Sequence, residues 1–180
     1  MTYFIHLLTF SRILLAGIIF MLLTRPEGYL FALILFFVAG VSDYFDGYLA
    51  RKYKLTSKVG EIIDPIADKI LIVFVLFGLS VNLSSYFIAF MASLIITREI
   101  WVGALRDYNA REGHSDATKV TFLAKIKTTI QMFTISIYLL GLSFNIMFLV
   151  IIGDMFLFLS LLITLYTGYL YTLNSIKKKI

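Results

Sequence analysis

From Ile70 to Thr97 the chain runs for 28 residues without a charged side chain. A bilayer crossing takes about 20 apolar residues, so this run is too long for one comfortable span. Asn82-Leu83-Ser84-Ser85 divides it, and two membrane helices joined by a tight turn are the natural reading. Thr128 to Gly153 repeats the arrangement around Gly141-Leu142-Ser143-Phe144-Asn145. Ile13 to Thr24 and Tyr29 to Ser42 flank a third turn, Arg25-Pro26-Glu27-Gly28, and Met155 to Ile176 ends at Lys177-Lys178-Lys179. The pattern predicts an all-α, polytopic membrane protein. Its six transmembrane helices are expected near 11–24, 28–50, 60–81, 84–108, 117–141 and 145–174, in one domain covering residues 1–180.

Composition excludes several classes. With 60% apolar and 15% charged residues in 180, a water-soluble globule would have more apolar surface than it could hide. A soluble enzyme, a disordered chain and a free nucleic-acid-binding module are therefore set aside, and no nucleic-acid partner is expected. The chain has no cysteine, hence no disulfide, thiolate metal site or cysteine nucleophile. Met1-Thr2-Tyr3-Phe4-Ile5-His6 has neither a basic n-region nor a small-residue cleavage site, so no removable leader is expected. The three turns near 25–28, 82–85 and 141–145 hold only Arg25 of the 16 Lys and Arg residues. The positive-inside rule places the opposite side, with both termini and the basic segments, in the cytosol, as for a cytoplasmic-membrane protein facing anionic membrane lipids.

Four carboxylates stand where apolar sequence makes them costly: Asp43, Asp46, Asp64 and Asp68. Spacings of three and four residues put each pair on one helix face. Asp46 precedes Arg51 by five residues and Asp64 follows Lys58 by six, so both lie roughly 7.5–9 Å from the basic loop on antiparallel helices. Four like charges at one depth would repel and protonate unless countered. One or two divalent cations would counter them, and an all-oxygen set suits Mg²⁺ or Mn²⁺. The residues alone leave a second arrangement open, in which neighbouring Arg and Lys neutralise the acids as a structural ion-pair network. Gly47, Ala50 and Gly60 lie on the same faces, leaving room for a ligand or for close helix packing. At Asp64-Pro65 the third helix either begins or kinks.

These residues also carry a resemblance. Asp43-x2-Asp46-Gly47-x2-Ala50-Arg51-x8-Gly60-x3-Asp64-x3-Asp68 is similar to the signature of the CDP-alcohol phosphotransferase family at all eight specified positions. Leu8-Thr9 with Arg12, Arg98-Glu99 with Gly103 and Arg106, and Lys125-Ile126-Lys127-Thr128-Thr129 resemble the bacterial branch whose acceptor is glycerol 3-phosphate. That branch usually opens with Pro-Asn, where this chain has Ile5-His6. The resemblance implies a cytosol-facing site that splits CDP-diacylglycerol and passes its phosphatidyl group to an alcohol. It assigns two Mg²⁺ or Mn²⁺ ions to Asp43, Asp46, Asp64 and Asp68, with Asp68 also the base. It assigns the CDP-diacylglycerol side to Thr9, Arg12, Gly47, Ala50, Arg51 and Ser57, and it implies a homodimer.

Arg98, Arg106, Lys125 and Lys127 are read as the cations for the phosphate of glycerol 3-phosphate, with Glu99 orienting one of them. The competing reading is snorkelling to lipid headgroups. Phosphatidylglycerol, giving cardiolipin, and inositol phosphate are the alternative acceptors. Two rival functions begin from the same acids. A cation or proton transporter would use them as an ion path, yet they cluster near one face and no broken helices recur in two halves. A structural scaffold would not need four acids at one depth. His6 reads as a headgroup-level residue and His114 as solvated. Asp154, alone in the last apolar run, suits a kink, an oligomer contact or a break near the outer surface.

Overall fold

Among the described residues six α-helices follow one another: α1 (Thr2–Leu22), α2 (Tyr29–Tyr53), α3 (Lys58–Asn82), α4 (Tyr86–Arg111), α5 (Phe122–Ser143) and α6 (Met147–Lys177). The computed structural model describes the backbone of residues 2–53, 58–118 and 122–177. It describes their side chains other than those of residues 2–8, 44, 46–51, 53, 58–62, 64, 115, 124 and 125. The described residues form helices and turns only, in agreement with the all-α expectation. Most helix ends fall within a few residues of the expected positions. The exceptions are α1, which starts at Thr2, and α5, which starts at Phe122 because Ser115–Thr118 forms a short 3-10 turn instead. Pro65 lies inside α3, so the helix begins before the Asp64-Pro65 step and runs through it.

The chain is a multi-pass membrane protein. Four windows are long and apolar enough to cross a bilayer: Pro26–Asp43, Pro65–Asn82, Tyr86–Arg111 and Met147–Lys177. Thr9–Leu22, the part of α1 whose side chains are described, is also apolar.

Three helix ends use one device. Ser84, Asn145 and Gly113 take positive φ angles of 46°, 56° and 75°. The next residue's N–H then reaches back to a carbonyl of the last turn: Ser85 to Ser80 at 3.0 Å, Ile146 to Gly141 at 2.8 Å, His114 to Asn109 at 2.7 Å. This closes the helix by satisfying a carbonyl that would otherwise lack a donor. Ser85 also starts α4 by accepting from the Ile88 amide. At the α1–α2 turn, a Cβ on Gly28 would lie 2.2 Å from the Leu22 carbonyl oxygen, so only glycine fits. Asn82 ties that turn to the end of α3, donating to the Leu23 carbonyl at 2.8 Å and the Tyr29 hydroxyl at 2.6 Å.

α1 packs on α3 and α2, α5 on α6 and α2, and α4 on α6 and α3. A core including Ala16, Ile19, Phe36, Val75, Leu79, Ala92, Ile135 and Leu157 fills the space between them. Asp154 is accounted for within the chain: its carboxylate accepts from the Tyr138 hydroxyl at 2.6 Å. Gly153 makes that approach possible, since a Cβ there would come within 2.8 Å of the Tyr138 ring.

Candidate active site

α1, α2 and α3 converge on one buried guanidinium. Arg12, fully buried on α1, donates through Nη1 to Asp43 of α2 at 2.8 Å and to Asp68 of α3 at 2.5 Å. A buried arginine is tolerable only when its charge is answered, and two carboxylates from different helices do so here. Both acids remain open on another side, with side-chain exposures of 47% and 40%. Two of the four signature carboxylates, Asp43 and Asp68, thus meet at one guanidinium; the side chains of Asp46 and Asp64, on which the depth argument rests, lie outside the described residues. The resemblance assigns Arg12 to the CDP-diacylglycerol side; the structure sets it between two signature acids.

A second hub lies beside the first. Glu99 of α4 accepts from its neighbour Arg98 at 2.8 Å and from Lys127 of α5, and Lys69 of α3 stands 3.5 Å away. One carboxylate thus answers three cations drawn from three helices. Between the hubs is a cavity of about 340 Å³, whose polar wall includes Asp68, Lys69, Arg98, Glu99, Arg106, Lys127 and Gln131. Arg106 differs from the other cations there. Among the described residues it has no ion pair, and its Nε, like that of Arg98, is buried without a hydrogen-bond partner. Asp68 faces Arg12 and Glu99 is oversubscribed, so the wall carries excess positive charge. An anion, and a phosphate in particular, is the complementary occupant.

α6 supplies the backing. Thr167 accepts from Arg98 Nη2 at 2.6 Å, and Gly168 lets the arginine stem lie flat, since a Cβ there would be 3.1 Å from Arg98 Cγ and Nε. The buried Tyr171 ring lies 5.9 Å from the Arg98 guanidinium and 5.6 Å from that of Arg106. An aromatic face attracts each cation and lets two like charges share a neighbourhood. Asn109 to Ser175 at 2.7 Å and Trp101 to Thr172 at 3.0 Å further fix α4 against α6.

The structure thus brings together Arg12, Asp43 and Asp68, and beside them Arg98, Arg106 and Lys127. Thr9 is buried one helical turn from Arg12. The side chains of Asp46, Gly47, Ala50, Arg51, Asp64 and Lys125 lie outside the described residues, as does Ser57 entirely. Among the described residues no group of three or more His, Asp or Glu forms a metal cluster. Asp43 and Asp68 are answered here by Arg12, the ion-pair arrangement that the residues alone left open, while each keeps an exposed side whose hard oxygen donors are of the kind a divalent cation takes. Sequence reading missed Lys69, Gln131, Thr167, Gly168 and Tyr171. Gln131 follows Lys127 by four residues on one helix face, which could have signalled it. The α6 residues carry no such signal, because only the packing of α6 on α4 shows what they touch.

The sequence profile of CDP-alcohol phosphatidyltransferases matches residues 5–166. A protein of Rickettsia bellii named CDP-diacylglycerol–glycerol-3-phosphate 3-phosphatidyltransferase is 37% identical over 167 residues, covering 91% of this chain and 90% of the relative. One of the same name from Rickettsia felis is 39% identical over 171 residues, with 91% and 90% covered. Another, from Blochmanniella floridana, is 37% identical over 145 residues, with 79% and 75% covered.

Proposed function

The chain belongs to the CDP-alcohol phosphatidyltransferase family, and from that premise we propose how its residues perform the transfer. It is a CDP-diacylglycerol-dependent phosphatidyltransferase that passes the phosphatidyl group to glycerol 3-phosphate, giving phosphatidylglycerol phosphate and CMP. The observation that carries the acceptor is Arg106. It is a cation without a counter-charge among the described residues, in the cavity that also exposes Asp68.

In this reading the acceptor's phosphate sits against Arg106, with Arg98 and Lys127 beside it, and Lys125 lies on the same helix as Lys127. Its free primary hydroxyl is then directed toward Asp68. Asp68 takes the hydroxyl proton as the oxygen attacks the phosphorus that carries diacylglycerol. A new phosphorus–oxygen bond forms, the bond to the CMP phosphate oxygen breaks, and CMP leaves with the electron pair. Thr9, Arg12, Gly47, Ala50, Arg51 and Ser57 are assigned to the CDP-diacylglycerol side. Arg12 orients Asp43 and Asp68 and answers their charge. Asp43, Asp46, Asp64 and Asp68 would hold two Mg²⁺ or Mn²⁺ ions, which supply neutralisation of the pyrophosphate charge when bound. The same reading has six membrane crossings in a single domain, both termini and the site on the cytosolic side of the inner membrane, and a homodimer among membrane lipids.

Arg106→Ala tests the acceptor assignment. A charge-assisted contact contributes about 1.5–3 kcal/mol, so KM for glycerol 3-phosphate should rise roughly 10- to 150-fold. KM for CDP-diacylglycerol should change little. Equal increases for both substrates would instead make Arg106 a packing residue.

A further inference from the structure

Gln131 is 4% exposed, lines the cavity that holds Asp68 and Arg106, and its Nε2 has no hydrogen-bond partner among the described residues. A buried amide nitrogen without a partner is costly, and native proteins rarely keep one without use. It stands on α5 one turn beyond Lys127, on the face that Lys127 also turns to the cavity.

We infer that Gln131 is a specificity residue that hydrogen-bonds the non-reacting secondary hydroxyl of the acceptor. The inference rests on the transferase reading and adds to it a group that the signature does not contain. The other polar groups of glycerol 3-phosphate already have partners of matching chemistry. The phosphate meets guanidinium and ammonium groups, and the reacting hydroxyl meets the Asp68 carboxylate. The secondary hydroxyl both donates and accepts, and a carboxamide does the same, whereas a cation only donates. Acceptor binding would supply the partner that Nε2 lacks, and an acceptor without that hydroxyl would leave the buried nitrogen unpaired. Sites built around a substrate hydroxyl discriminate in this way.

The test compares glycerol 3-phosphate with 3-hydroxypropyl phosphate, which lacks only the secondary hydroxyl, by CMP release from CDP-diacylglycerol. The wild-type protein should prefer glycerol 3-phosphate by roughly tenfold or more in kcat/KM, the effect of one unpaired buried donor. In Gln131→Leu that ratio should fall close to one. Gln131→Met, nearer in shape to glutamine, serves if the leucine variant does not fold. A wild-type ratio near one overturns the inference without any variant. So does a variant that loses equally on both acceptors or keeps the wild-type ratio. Failure of the underlying transferase reading looks different, because the wild-type protein would then release no CMP with either acceptor.

Discussion

Asp68 meets two demands that pull on one carboxylate. Arg12 holds it in place at 2.5 Å, and its exposed side looks into the cavity where the acceptor is proposed to lie. An ionised carboxylate held in this way is a competent proton acceptor, and general bases contribute about 10²–10⁴-fold to rate. Asparagine preserves an acceptor oxygen for Arg12 but cannot take a proton at neutral pH. Asp68→Asn should therefore still bind CDP-diacylglycerol in calorimetry while turning over at least about a hundredfold more slowly, the lower end of general-base contributions. Turnover that survives the change would place the base elsewhere. Loss of binding together with turnover would make Asp68 chiefly a ligand. At this scale the sequence was most readable. Charges inside apolar runs are few, so Asp43, Asp68, Arg98 and Arg106 announce themselves, and their spacing puts them on known faces. What spacing does not reveal is which opposite charges meet. Arg12 is far from Asp43 and Asp68 along the chain, and the partnership follows only from α1 packing on both α2 and α3.

The helices repeat this division. Their lengths and turns follow from charge-free runs punctuated by Asn, Ser and Gly, which is why the starts of α2, α3, α4 and α6 fall close to the expected positions while those of α1 and α5 do not. The 3-10 turn at Ser115–Thr118 escaped because it is too short to show a period. Pro65 allowed two outcomes locally, and α3 continues through it. The role of α6 was hidden, since its polar residues, Thr167, Thr172 and Ser175, look like ordinary membrane-helix substitutions until α4 is laid against them. That contact makes a prediction about the helix. Gly168 leaves room for the stem of Arg98, and a larger side chain would push the guanidinium off Thr167 and Glu99. Gly168→Leu should raise KM for glycerol 3-phosphate by roughly tenfold, the low end of a charge-assisted contact, and leave KM for CDP-diacylglycerol within about twofold. If acceptor KM is unchanged in steady-state kinetics, α6 does not position Arg98.

For the whole molecule, the distribution of charge sets both orientation and access. Only Arg25 of the 16 basic residues falls in the three turns near 25–28, 82–85 and 141–145, so both termini and the carboxylate hubs are expected to face the cytosol, where water-soluble glycerol 3-phosphate can reach the cavity. Because the chain has no cysteine, single cysteines placed at Lys178 and Asn145 report their own sidedness. A membrane-impermeant thiol reagent should label them from opposite sides, and labelling from the same side would break the six-helix arrangement. The chemistry itself is tested most directly by stoichiometry. Purified protein in liposomes containing CDP-diacylglycerol, supplied with Mg²⁺ and labelled glycerol 3-phosphate, should release one CMP for each glycerol 3-phosphate that enters the lipid phase. CMP release without incorporation of label, or incorporation that does not need CDP-diacylglycerol, would contradict the account.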